Sequence, residues 1–178
     1  MMPFYSNPRF WIPLIANGLL SVLLVTLNSQ LSSLNVHIFV PGIFPLFLAF
    51  NRPGPSGLIG CTFTGFMFDA LTPLPMGVFA TLFASMHAVA RVFSNRIHRE
   101  NLMQFVSFAF AFNILCWIVV TATTSSSSVW NSDFWAHFSV NLLVSQLVLI
   151  PIAAWFFEFQ AASLRLLFGI RIFDDDLI

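Results

Sequence analysis

The sequence predicts an all-α fold, a polytopic helical bundle seated in a lipid bilayer. Three observations carry this. Of 178 residues, 58% are hydrophobic and 8% are charged, against roughly a quarter charged in an ordinary soluble protein. Apolar runs recur six times, separated by brief polar or Pro/Gly-rich breaks. All seven basic residues are Arg, and they fall in or beside the two ends of the chain and alternate breaks. The 23 Phe residues read as a lipid-facing signature.

A spanning helix needs about 20 apolar residues. The first run, Phe10 to Leu27, carries Pro13 in its first turn, where a missing N–H costs little. It is longer than the roughly 7–15 residues of a signal-peptide core and ends in Asn28-Ser29-Gln30, so it reads as a retained span. The second run, Leu34 to Phe50, contains Pro41 and Pro45 and is expected as a kinked helix. Gly57 to Leu71 is a short third run, and Gly77 to Phe93 a fourth. The fifth is Leu102 to Thr123; the sixth, Phe138 to Phe157, is bent at Pro151. Residues 1–178 thus form a single integral membrane domain with six transmembrane helices.

Six crossings put both termini, the 51–56 turn and the 94–101 connection on one side. Arg9, Arg52, Arg91, Arg96, Arg99, Arg165 and Arg171 all fall there. A random split would do this roughly one time in sixty-four, and the bias marks that side as cytoplasmic. Five crossings, with the third run re-entrant, would put Arg91 to Arg99 outside. Trp130 and Trp135 are then expected at the outer interface, Trp11 and Trp155 near the inner one.

Charge balance is zero, which gives no reason to expect nucleic-acid binding. Cys61 and Cys116 lie in apolar runs without a C-x-x-C partner and read as small buried side chains. No pair of His or acidic residues has metal spacing, and no phosphate loop or nucleophile elbow is present. No catalytic residue, cofactor or metal is expected. Asp174 to Asp176 read as a solvated tail and Ser125 to Ser128 as a polar loop; His37, His98 and His137 lie near the interfaces.

The third run is the most informative. Gly57, Cys61, Gly65 and Asp69 recur every four residues and share one helix face. Ala80, Ala84 and Ala88, flanked by Thr81 and Ser85, form a matching stripe on the fourth run. Small residues let helices approach closely in lipid, so the two runs are expected to pack through these stripes. Asp69 has no basic neighbour in sequence. It is expected chiefly to cap the following turn, accepting from N–H groups around Thr72 to Gly77; the alternative is a partner, cation or proton site. Asn113, Asn141 and Gln146 are expected to hydrogen-bond between helices, and His87 to be a satisfied interior side chain.

Pro45 leading an apolar stretch, a short turn, Gly57, Gly65-Phe66-Met67-Phe68-Asp69, then Gly77 opening the next helix resembles the MreD family of bacterial rod-shape-determining membrane proteins. Residues 40–95 carry most of the likeness; Phe134-Trp135 and Asn141 are similar to the family's last span. The resemblance implies a non-enzymatic scaffold of the cell-wall elongation machinery in the bacterial cytoplasmic membrane. It implies a bitopic MreC-like partner and, indirectly, MreB, RodA and an elongation transpeptidase. It implies a fold similar to the S-components of energy-coupling-factor vitamin transporters, with Pro45, Gly57, Gly65, Asp69 and Gly77 as structural or partner-binding residues. The sequence departs from the family in lacking Lys and ending in an acidic triplet. The rival expectation is an S-component-like subunit that binds a small vitamin or cation from outside, which needs a deep polar pocket. A shallow lipid-facing groove would favour the scaffold.

Overall fold

A computed structural model describes residues 8–34, 36–51, 54–72, 74–94, 102–124 and 132–168. Arg52, His98, Trp130, the 125–128 serines and the acidic tail lie outside them, so most of the charge pattern does too. The described residues form helices α1 (Pro8–Leu31), α2 (Phe44–Asn51), α3 (Pro55–Leu71), α4 (Val78–Ser94), α5 (Leu102–Thr124) and α6 (Ser132–Phe168). Stretches within α1, α5 and α6 are long and apolar enough to cross a membrane. Pro8 opens α1 and Pro55 opens α3, both at positions where a proline removes no helical bond.

The second apolar run departs from expectation. It is no kinked helix: residues 36–40 are non-helical, Pro41–Ile43 form one 3-10 turn, and only Phe44–Asn51 is α-helical. Pro41 lacks the N–H that a continuous helix would need, and its ring opposes the carbonyl four residues back. α6 also runs past the expected 138–157. Its 37 residues span about 55 Å, more than the full bilayer, so it must tilt, bend at Pro151 or project from the membrane.

The core is built around α2, whose residues 44–50 are all buried. Phe44 packs on Phe68, Phe83 and Phe156, with ring centroids 5.0, 6.4 and 6.2 Å away. Phe47 meets Phe157, and Phe50 meets Phe105 and Phe108. Much of the phenylalanine therefore faces inward, against the lipid-facing expectation. Lipid is as apolar as the side chains, so helices gain little from burial alone. Large rings supply contact area and edge-to-face geometry between them instead.

Candidate functional site

α3 and α4 form the most extensive helix pair, and the expected glycines and carboxylate sit at their junction. Gly57, Cys61, Gly65 and Asp69 are all buried on one face of α3. At Gly65 a β-carbon would stand 2.5 Å from Ala80 Cα and 2.6 Å from Phe79 O. The two backbones touch there, and no larger residue fits without separating them.

One turn on, Asp69 is 2% exposed and caps α4 from the neighbouring helix. Gly77 N–H donates to Oδ2 at 2.9 Å, Phe79 N–H to Oδ1 at 2.8 Å and Ala80 N–H to Oδ2 at 3.3 Å. These N–H groups belong to the start of α4, which has no intrahelical acceptor for them, and the carboxylate also meets the positive end of the helix dipole. The cap was legible in sequence: Gly77 lies in the expected Thr72 to Gly77 stretch, and the other two donors, Phe79 and Ala80, lie just beyond it. Gly77 has φ +101°, a backbone conformation that favours glycine; it lets the chain turn from Asp69 into α4.

Pro45 lies buried in the first turn of α2, and its carbonyl accepts from the Cys61 thiol at 3.4 Å. The same sulfur is 3.6 Å from His87 Nδ1, so His87 is an interior side chain. Among the described residues no three His, Cys, Asp or Glu side chains gather as a metal site would require.

The α4 stripe only partly faces α3. Ala80 is buried against it, Ala84 is half-buried, and Thr81, Ser85 and Ala88 are exposed. α4 stays packed on α3 at least as far as Cys61 and His87, and at about 100° per residue Thr81, Ser85 and Ala88 fall well round the helix from Ala80, away from that contact. Thr81 and Ser85, with Val78 and Leu82, line one wall of an open groove of about 430 Å³; Val119 and Thr123 of α5 line the other. Each hydroxyl already donates to its own helix: Thr81 to Gly77 O, Ser85 to Leu82 O and Thr123 to Val119 O. Their lone pairs remain as acceptors.

A second polar constellation holds the non-helical segment 36–40. Asn28 clasps Ile38 twice, accepting from its N–H at 2.8 Å and donating to its carbonyl at 2.7 Å. Ser145 accepts from Phe39 N–H at 3.0 Å and donates to His37 O. Asn141 accepts from His37 N–H at 3.1 Å. Asn113 donates to Phe39 O at 3.1 Å and accepts from Gly42 N–H at 3.4 Å. Asn113 and Asn141 do join distant elements, but through this backbone strap rather than helix to helix. Gln146 does not: both its amide atoms lack a partner among the described residues, because Ser145, one position round α6, is the side chain that reaches the strap.

Deeper still, Asn17 of α1 donates to Phe44 O and Thr64 Oγ1 and accepts from Gln160, joining α1, α2, α3 and α6. Asn17, Asn28, Gly42, Thr64, Ser145 and Gln160 were not singled out by sequence. A Pro-Gly pair inside an apolar run, with the Asn141/Ser145 spacing of one turn, was the available signal. Comparison with family models, curated proteins and solved structures finds no match, so the family likeness rests on the quoted residues alone.

Proposed function

We propose that this chain is a non-enzymatic membrane scaffold of the MreD type in the bacterial cytoplasmic membrane. It crosses six times and docks a single-span MreC-like partner in the groove between α4 and α5. MreB, RodA and the elongation transpeptidase would follow through that partner. The groove wall is the observation that carries the reading. The exposed faces of α1, α3 and α6 present large side chains such as Leu19, Leu23, Phe63, Phe66, Leu147 and Trp155. α4 exposes Val89, Val92 and Phe93 toward its end, but over its first three turns it offers Thr81, Ser85 and Ala88, which admit another backbone closely. Lipid chains need no such relief.

Length supports six crossings. α3 and α4, at 17 residues each, reach about 26 Å, near the lower limit for a span. Residues 36–51 reach at most roughly 34 Å, the sum of α and 3-10 rises with the largest rise a non-helical stretch can have. The broken second run can therefore be long enough to cross.

The transporter reading needs polar groups converging on an outward pocket. Asn28, Asn113, Asn141 and Ser145 are instead spent on the chain's own backbone, which supports the scaffold. The test is co-purification from native membranes. A bitopic partner should be recovered with the parent chain and lost with Ser85→Leu, which fills the groove, while thermal unfolding is unchanged. Capture that survives Ser85→Leu would remove the groove from the proposal. Recovery of ATP-binding-cassette subunits would replace scaffold by transporter.

A further inference from the structure

The strap at residues 36–43 cannot hold its path with the first half of the chain alone. Seven of its backbone groups are satisfied by side chains. Asn28 supplies two of these bonds. The other five come from Asn113, Asn141 and Ser145, between 71 and 108 residues further along the chain. α5 also supplies the surface on which the 3-10 turn seats: a β-carbon on Gly42 would lie 2.5 Å from Asn113 N and 2.7 Å from Ala109 O. Asn113 is at the middle of α5, so the strap descends from the outer end of α1 to mid-membrane.

Irregular backbone stands at that depth only where protein covers it and satisfies its polar groups. A helix would satisfy most of its own, but Pro41 and Pro45 each deny one N–H and free a carbonyl one turn back. Neither form is settled until α5 and α6 arrive.

We infer that the strap is a late-closing latch. Helices α1, α3 and α4 form first, residues 36–43 with their unsatisfied backbone groups stay in water, and the strap locks only when the α5–α6 hairpin supplies Asn113, Asn141 and Ser145. Locking then joins the hairpin to the rest of the bundle. The outer junction is this polar clasp, whereas the inner one is the Phe47, Phe50, Phe105 and Phe157 ring cluster. The inference rests on the crossing topology of the proposed function and not on its partner.

The test follows the full-length chain during synchronised synthesis into membrane vesicles. Cys61 and Cys116 are replaced by Ala, and a single reporter is placed by Val40→Cys, since Val40 is 1% exposed in the finished fold. N-ethylmaleimide, which needs a water-exposed thiol, is pulsed at successive times. Reactivity at position 40 should fall at least tenfold only after α6 has been made. A Phe83→Cys reporter, on a side chain fully buried in α4, should be protected as soon as α4 is in place. Adding Asn113→Ala and Ser145→Ala should leave position 40 reactive in the finished protein. Protection of position 40 before α5 is synthesised would overturn the inference, and that time course decides even if the double variant fails to accumulate.

Discussion

The α3–α4 junction and the strap solve one problem in opposite ways. Both must satisfy backbone groups that no helix satisfies, in a setting without water. At the junction a single carboxylate, 8 to 11 residues from its donors, caps three N–H groups, and a glycine lets the two backbones meet. At the strap, four neutral side chains from three helices each take one or two groups, mostly from far along the chain. The junction is thus a local unit that α3 and α4 can complete by themselves. The strap is a property of the whole bundle. A neutral amide suits it because it offers both a donor and an acceptor, and the strap presents N–H and C=O groups together.

The strongest way to break the junction is Gly65→Leu. Its side chain would collide with the Ala80 and Phe79 backbone, and overpacking of this kind against unyielding atoms should cost more than about 3 kcal/mol. Loss of folded protein in a detergent thermal-unfolding assay checks it; a melting midpoint equal to that of the parent chain would refute the close contact. Asn113→Ala tests the strap. It strands Phe39 O and Gly42 N–H in the interior, for about 3 kcal/mol, and should raise hydrogen exchange across residues 36–43 while leaving α3 and α4 protected. Spread of that exchange to α4 would mean the two regions are not separable.

Asp69→Asn sharpens the contrast. An amide keeps an acceptor oxygen but turns an NH₂ toward N–H donors, so about 2 kcal/mol should be lost, with exchange rising at the start of α4 alone. Gly77→Ala is milder. A side chain at positive φ should cost about 1 kcal/mol, read as a small drop in midpoint. Ser85→Leu is the smallest, within about 0.5 kcal/mol of the parent, as expected for an outward-facing position away from both regions. Its effect should appear only in partner capture.

How much was legible follows the same divide. Gly65, Asp69 and Gly77 could be read because helix periodicity and a short turn bring them together within a few residues of sequence. Their burial, contact and capping role follow almost directly from spacing. The α4 stripe was half legible: Ala80 faces α3, but which of Thr81, Ser85 and Ala88 are covered depends on where the other helices sit around α4. The second run was misread because an apolar stretch of that length looks the same whether it is helical or not, and prolines alone do not say which. Its path is set by Asn113, Asn141 and Ser145, whose approach no local pattern encodes.

By itself the sequence pointed to a lipid solvent and determined the all-helical class, the approximate helices and the small-residue junction. Composition and 3.6-residue periodicity act over one or two helical turns, and those features live at that range. Only the tertiary structure decided that α2 is short and central, that Phe rings face inward, that a strap replaces a helix, and that a groove opens between α4 and α5. Each of these depends on which distant side chain meets which backbone group. In a membrane interior that meeting is decisive, because there is no water to satisfy a group that the fold leaves unpaired.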